Sequence, residues 1–248
     1  RFLRVFIFLF FSVVTIRVHA KQVMSFVSGS GFQMPEGCLA NLTKGCVVRS
    51  SNGETVRIEL NKNTIDLDED SVVRIDENAG ISLVRGGVWI LAETKQKVSV
   101  EYGVVESDGF FRVMKDSAKE RVSGRSQRVH IQSLKGFVQV RPLGEVTGLR
   151  IDPGEENWVS TVGANGRATV GSPLPIPFKQ VVSSWARVFR GSKSDFAQEV
   201  RALSLRWHQA VEANANFHKE VVERRLASIE RSEKIERDRR LKQQAYRR

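Results

Sequence analysis

The residues whose type and spacing have chemical meaning are few. Cys38 and Cys46 lie in PEGCLANLTKGCVV, close enough to close a small loop. In an oxidising compartment an even pair this near implies one local disulfide. By loop entropy such a bridge is worth about 2–3 kcal/mol. Metal binding is not expected there, because no His or further Cys is near. His19, His130, His208 and His218 are scattered, and the ten-residue gap between the last two is not the i, i+4 spacing of a helical metal pair. Asp66, Asp68, Glu69 and Asp70 form an acidic cluster without the glycine and layout of a calcium loop, so an exposed turn before a strand is expected. There is no G-x-S-x-G elbow, no phosphate-binding loop and no H-E-x-x-H. The expectation is therefore a non-catalytic protein without cofactor or metal.

The charge is unevenly placed. The 248 residues carry a formal net charge of +11. Residues 1–20 contribute +3, from Arg1, Arg4 and Arg17. Residues 21–178 hold 19 basic and 19 acidic side chains and are neutral. Residues 179–248 hold 17 basic and nine acidic and contribute +8. A basic face over the whole domain, the footprint of a nucleic-acid binder, is not the pattern seen. Arg237, Arg239, Arg240, Arg247 and Arg248 cluster at the end and are the expected basic contact, for an anionic envelope polymer, an anionic lipid or an acidic protein face. Interleaved acids make a solvated helix face the plainer reading of the same run.

The segment 1–20 (RFLRVFIFLFFSVVTIRVHA) has a positive start, an apolar run from Val5 to Ile16 and the small-x-small ending Val18-His19-Ala20. That is the layout of a secretory signal peptide, with cleavage expected after Ala20. The run is shorter than the roughly 20 residues of a membrane span. An uncleaved inner-membrane anchor is the alternative, and either way the body is expected outside the cytoplasm. Export disfavours nucleic acid as a partner.

The elements that position these residues fall into a β body and an α tail. From about Val47 to Val170, short runs such as TVRIEL, GVWIL and FVQVR alternate apolar and polar positions and are rich in β-branched residues. Val56, Ile58 and Leu60 share one face, and Phe137, Val138 and Val140 are expected to do the same. Turn signals such as Asn52-Gly53, Asp108-Gly109 and Asp152-Pro153-Gly154 follow nearly every run. About ten strands at this spacing predict a mainly β fold, as a sandwich, a barrel or a solenoid-like stack. The expected organisation is a signal peptide (1–20), an N-terminal segment with the disulfide loop (21–46), a β domain (47–172), a proline-rich linker (173–177) and a helical basic tail (178–248). In the tail, Phe178, Val181, Val182, Trp185 and Val188 or Phe189 predict a short amphipathic helix, and Ser194-Asp195 an N-cap for a second. Along the second, Phe196, Val200, Leu203, Trp207, Ala210, Asn214, Phe217 and Val221 form a seam spaced by alternating fours and threes. Two readings are open: a helix docked on its own β body, or a coiled coil with a partner or a second copy.

The ordered set of β motifs resembles the FecR-type periplasmic domain. ETVRIELNKNTIDLDEDSVVRI carries Leu67 and Ser71 at the family's opening positions. ISLVRGGVWIL carries Leu83, Gly86, Val88 and Ile90, and SDGFFRVMK carries Gly109, Phe111 and Val113. LKGFVQVR carries Leu134, Gly136, Val138 and Val140, and IDPGEENWVSTVGANG carries Gly154 and Glu155. The resemblance covers about half the chain, and Phe110 stands where the family usually has Thr. It implies a non-enzymatic module in which Gly86, Gly109, Gly136 and Gly154 supply turns with positive φ. Founding members of the family relay a receptor signal to a sigma factor through a cytoplasmic segment and one span. No such segment precedes the hydrophobic run here, which counts against an anti-sigma role. The expected function is an envelope scaffold or adaptor that binds protein partners through its β body and helical tail. A periplasmic sensor or regulator and a cell-wall polymer-binding protein are the alternatives.

Overall fold

The computed structural model describes residues 25–29, 31–39, 42–116, 127–161 and 168–246. The expected signal segment, 1–20, lies outside them.

Among the described residues, seventeen strands form two sheets. The first runs in the order β1 (Ser25–Gly29), β4 (Val56–Leu60), β5 (Asn63–Leu67), β8 (Gly87–Leu91), β11 (Phe110–Lys115), β12 (Arg128–Lys135), β15 (Glu155–Thr161) and β16 (Ala168–Val170), with β17 (Leu174–Pro175) also paired to β15. The second runs β14 (Leu149–Ile151), β13 (Val138–Pro142), β10 (Gly103–Ser107), β9 (Gln96–Val100), β7 (Ile81–Arg85), β6 (Val72–Ile75), β3 (Val47–Ser50) and β2 (Phe32–Gln33). Among the described residues every pairing is antiparallel except β7 with β9. The expected mainly β architecture is thus an open two-sheet stack, without a closed barrel, followed by a long helix.

Alternation builds the core. Val56, Ile58 and Leu60 of β4 are fully buried together with Ile65, Val88, Ile90, Val113 and Ile131 of the same sheet. They share one cluster with Val48, Val73, Ile81, Val98, Val105, Val138, Val140 and Ile151 of the other sheet. Phe137 departs from the expected pattern. Period two sends Val138 and Val140 inward, so the preceding residue lies outside, 44% exposed, with the Arg150 guanidinium 4.7 Å above its ring. Cys38, in the short helix α1 (Glu36–Leu39), is bonded to Cys46, which is buried.

Two helices form a third layer on the outer face of the first sheet. Helix α2 spans Phe178–Val188 and buries Val181, Trp185 and Val188. Helix α3 spans Lys193–Tyr246, 54 residues, about 80 Å at 1.5 Å per residue. A second hydrophobic cluster joins them to Trp89, Phe110, Leu134 and Ile176. The proline-rich segment is therefore not a free linker: Leu174 pairs with Glu156, and Ile176 is buried, so the prolines sit where a sheet edge needs few donors. The N-cap also differs from expectation. Ser192 precedes the first turn of α3, its hydroxyl accepts from the Asp195 amide (3.1 Å), and the Asp195 carboxylate accepts from the Ser192 amide (3.2 Å). This is a reciprocal capping box, one turn of cap placed two residues earlier than expected.

Candidate protein-interaction surface

The outer face of the first sheet is polar along its centre. Register places Arg57, Asp66, Trp89, Arg112, Gln132 and Glu156 directly opposite one another across six strands. The Arg57 guanidinium donates to both Asp66 oxygens, at 2.7 and 2.8 Å. That hydrogen bond, chiefly, raises the Arg57 pKa further above its ordinary value. Asp68 accepts from Arg112 (2.6 Å) and from the Trp89 indole N–H (2.9 Å), while Arg112 stacks 4.4 Å over the Trp89 ring. The acidic cluster is thus not simply an exposed turn. Asp66 and Asp68 are half-buried members of paired networks, and only Glu69 and Asp70 occupy the turn, beside Arg187 (3.9 Å) and Arg85. Arg57 and Asp66 flank the Asn61-Lys62 turn in one hairpin, so their meeting was readable from hairpin register. The partnership of Asp68 with Arg112, 44 residues away, was not.

Helix α2 lies on this face through aromatic contact. The Trp185 ring is 4.9 Å from Phe110 and 5.2 Å from Phe196 of α3. Phe178 lies 5.2 Å from Trp207, whose indole N–H donates to the Ile176 carbonyl (3.0 Å).

The predicted seam of α3 divides in two. Phe196, Val200 and Trp207 are half-buried and Leu203 and Ala210 buried against the body, with Asn214 half-buried at the end of the contact. Beyond Asn214 the helix overhangs. Phe217 is 55% and Leu226 54% exposed, and Val221, Val222, Ile229 and Ile235 are exposed as well. Arg237 is exposed, Arg239 and Arg240 lie in the same helix, and Arg247 and Arg248 fall outside the described residues. An open groove of about 1010 Å³ runs beside the docked half, with Phe110, Leu134 and Trp185 below and the Ala202, Gln209 and Ala213 flank of α3 as one wall.

The four glycines occupy positions that a side chain would disrupt, but Gly109, contrary to expectation, does not have a positive φ and is required by close approach alone. At Gly86 (φ +77°) an added Cβ would sit 2.2 Å from the Ser71 hydroxyl, and at Gly109 it would sit 2.0 Å from the Lys135 carbonyl oxygen. Gly136 (φ +75°) faces Gly109. Gly154 (φ +90°) is the one that touches α3, since a Cβ there would lie 2.7 Å from the Trp207 amide nitrogen. Among the described residues no group of three or more His, Cys, Asp or Glu is placed to hold a metal ion, and no helix is long and apolar enough to cross a membrane.

No protein-family model matches the chain, and no curated protein matches it. Among solved structures, two crystal structures of a "putative anti-sigma factor" from Parabacteroides distasonis are similar to it. One has a TM-score of 0.39 at 15% identity, the other 0.38 at 16%, and each alignment covers 51% of this chain. The chain covers 59% of the length of those chains. At that level the likeness carries no functional argument. The fold and surface define the class on their own: a two-sheet β domain with a helical layer and an overhanging helical arm that carries exposed apolar residues.

Proposed function

We propose that this chain is an exported, non-catalytic FecR-like module that works as a scaffold or adaptor in the cell envelope through protein–protein contacts. The carrying observation is the division of α3. One half is anchored by Leu203, Trp207 and Ala210, and the other holds Phe217, Val221, Val222, Leu226 and Ile229 exposed on a continuous helix. Large apolar side chains kept in water on a helix clear of the body mark an interaction surface. The bonded Cys38 and Cys46 support an oxidising compartment, in agreement with the signal-like segment 1–20. The Arg-rich end gives the arm a second, electrostatic contact, for an acidic protein face or an anionic envelope polymer.

The test is affinity capture from envelope fractions with the full chain and with a chain ending at Asn216, which keeps the whole docked seam. A partner specific to the full chain supports the adaptor reading; identical captures from both overturn it. A second reading, a periplasmic regulator that passes a signal to a membrane partner, draws on the ordered FecR-like motifs and predicts an integral membrane protein as that partner. Salt-sensitive binding to purified cell wall, lost without residues 230–248, would favour the polymer-binding reading instead.

A further inference from the structure

A sheet covered on both faces is ordinarily apolar on both. The outer face of the first sheet is not. Beneath the helical layer its central row reads Arg57, Asp66, Trp89, Arg112, Gln132 and Glu156, a composition suited to water. Its charges are satisfied within the sheet: Arg57 by Asp66, Arg112 by Asp68, and the Glu156 carboxylate by the Gln132 amide (2.9 Å). Removing the helices would leave none of these charged groups without a hydrogen-bond partner. Polar ties from helix to strand are few and long, and one short bond, from the Trp207 indole N–H to the Ile176 carbonyl (3.0 Å), holds α3 to the segment after β17. Arg57 reaches the Val188 carbonyl at 3.4 Å, Arg190 reaches the Thr55 hydroxyl at 3.4 Å, Arg187 approaches Glu69 at 3.9 Å, and Lys135 approaches Glu199 at 3.8 Å. Two buried atoms on the covered face, Arg112 Nε and Gln132 Oε1, have no hydrogen-bond partner. Their desolvation opposes closure and is relieved when water reaches the face. What holds the layer down is aromatic and aliphatic: Val181, Trp185 and Val188 of α2 on Trp89 and Phe110. Meanwhile the two-sheet core is complete without them, because no residue of α2 or α3 belongs to it.

We propose that α2 and the docked half of α3 form a releasable cover over a second binding face of the β domain. The face accepts an amphipathic helix carrying bulky apolar residues at i, i+4 and i+7, the pattern of Val181, Trp185 and Val188. A partner drawing on the overhanging half of α3 has a lever of one continuous helix with which to shift the cover. The cover is independent of what the overhang binds, so an overhang without a partner leaves this inference standing.

Two measurements on the full chain test it. Amide hydrogen exchange of the unmodified chain should show residues 178–214 opening as one unit, on the order of 100-fold faster than β4, β8 and β11. Trp185→Ala should speed the helical unit by about tenfold or more and leave the strands unchanged. A labelled peptide of residues 178–190 (FKQVVSSWARVFR) should then bind the Trp185→Ala chain saturably and at least about tenfold more tightly than the unmodified chain, whose closed cover taxes binding. Helices and strands exchanging in a single step would overturn the inference. So would strands that accelerate with the helices in the variant, or a peptide that binds no better than its scrambled counterpart.

Discussion

Gly154 joins the β domain to the long helix, and its replacement by alanine separates two costs. The residue closes the Asp152-Pro153-Gly154 turn at φ +90°. Its amide donates to the Ser133 carbonyl (2.9 Å) and its carbonyl accepts from Ile176 (3.0 Å), so the backbone is held from both sides. An L side chain in this region costs about 1–2 kcal/mol. Gly144, at φ +82° with nothing within 4 Å of its missing Cβ, carries the same conformational cost alone. At Gly154 the new Cβ would also lie 2.7 Å from the Trp207 nitrogen and 2.8 Å from the Arg206 carbonyl carbon. Those are backbone atoms, so α3 itself must move. Its movement loosens Leu203, whose burial is worth about 1.5–3 kcal/mol. Gly154→Ala should therefore destabilise by about 2.5–5 kcal/mol and Gly144→Ala by about 1–2 kcal/mol, the difference being the helix contact. Urea denaturation followed by tryptophan fluorescence reads both, with Trp185 and Trp207 reporting on the helical layer. Equal losses within about 0.5 kcal/mol, the usual spread of independent surface changes, would refute the docking of α3 over this turn.

Other consequences are smaller and as direct. Replacing Cys38 and Cys46 with serine should cost about 2–3 kcal/mol, the entropy of a loop this short, seen as an equal loss on adding reductant to the unmodified chain. Ser192→Ala removes the hydroxyl that accepts from the Asp195 amide and should cost about 1 kcal/mol, confined to exchange protection at the start of α3. Glu106 titrates below its ordinary value of 4.5, first because Lys95 bonds to its carboxylate at 2.7 Å. A lowered folded pKa gives stability that is present above about pH 4.5 and lost as the pH falls through the folded value. Glu106→Gln should accordingly cost on the order of 0.5 kcal/mol at pH 7 and nothing near pH 3, checked by paired melts at the two values.

The parts of the fold visible in the sequence are those set by local period. Val56, Ile58 and Leu60 read as one face of a strand, and they are buried as one. Phe196 to Val221 read as a helical seam in which Trp207 and Phe217 are large for a tight helix pair; the part as far as Asn214 docks on the body, Trp207 included, and Phe217 does not. What local period does not carry is which side of an element meets what. Phe217 and Val221 continue the same heptad spacing as Leu203, yet they lie beyond the edge of the body. Phe137 is aromatic in an apolar run, but the inward phase belongs to Val138. The proline segment looks like a linker because Pro lacks a donor, and the same lack suits an edge strand on β15. The charged row was partly readable in the hairpin that joins Arg57 to Asp66. Asp68 finds Arg112 only through the order of strands, which no short motif records.

The adaptor reading rests on the overhanging half of α3, and site-specific photocrosslinking tests it most directly. A photoreactive residue placed in the full chain at Phe217 or Leu226 should, on illumination in the envelope, give one discrete protein adduct. The same residue at Val84, exposed on the second sheet, should not give it. The same adduct at all three positions, or none at Phe217 and Leu226, would contradict the account.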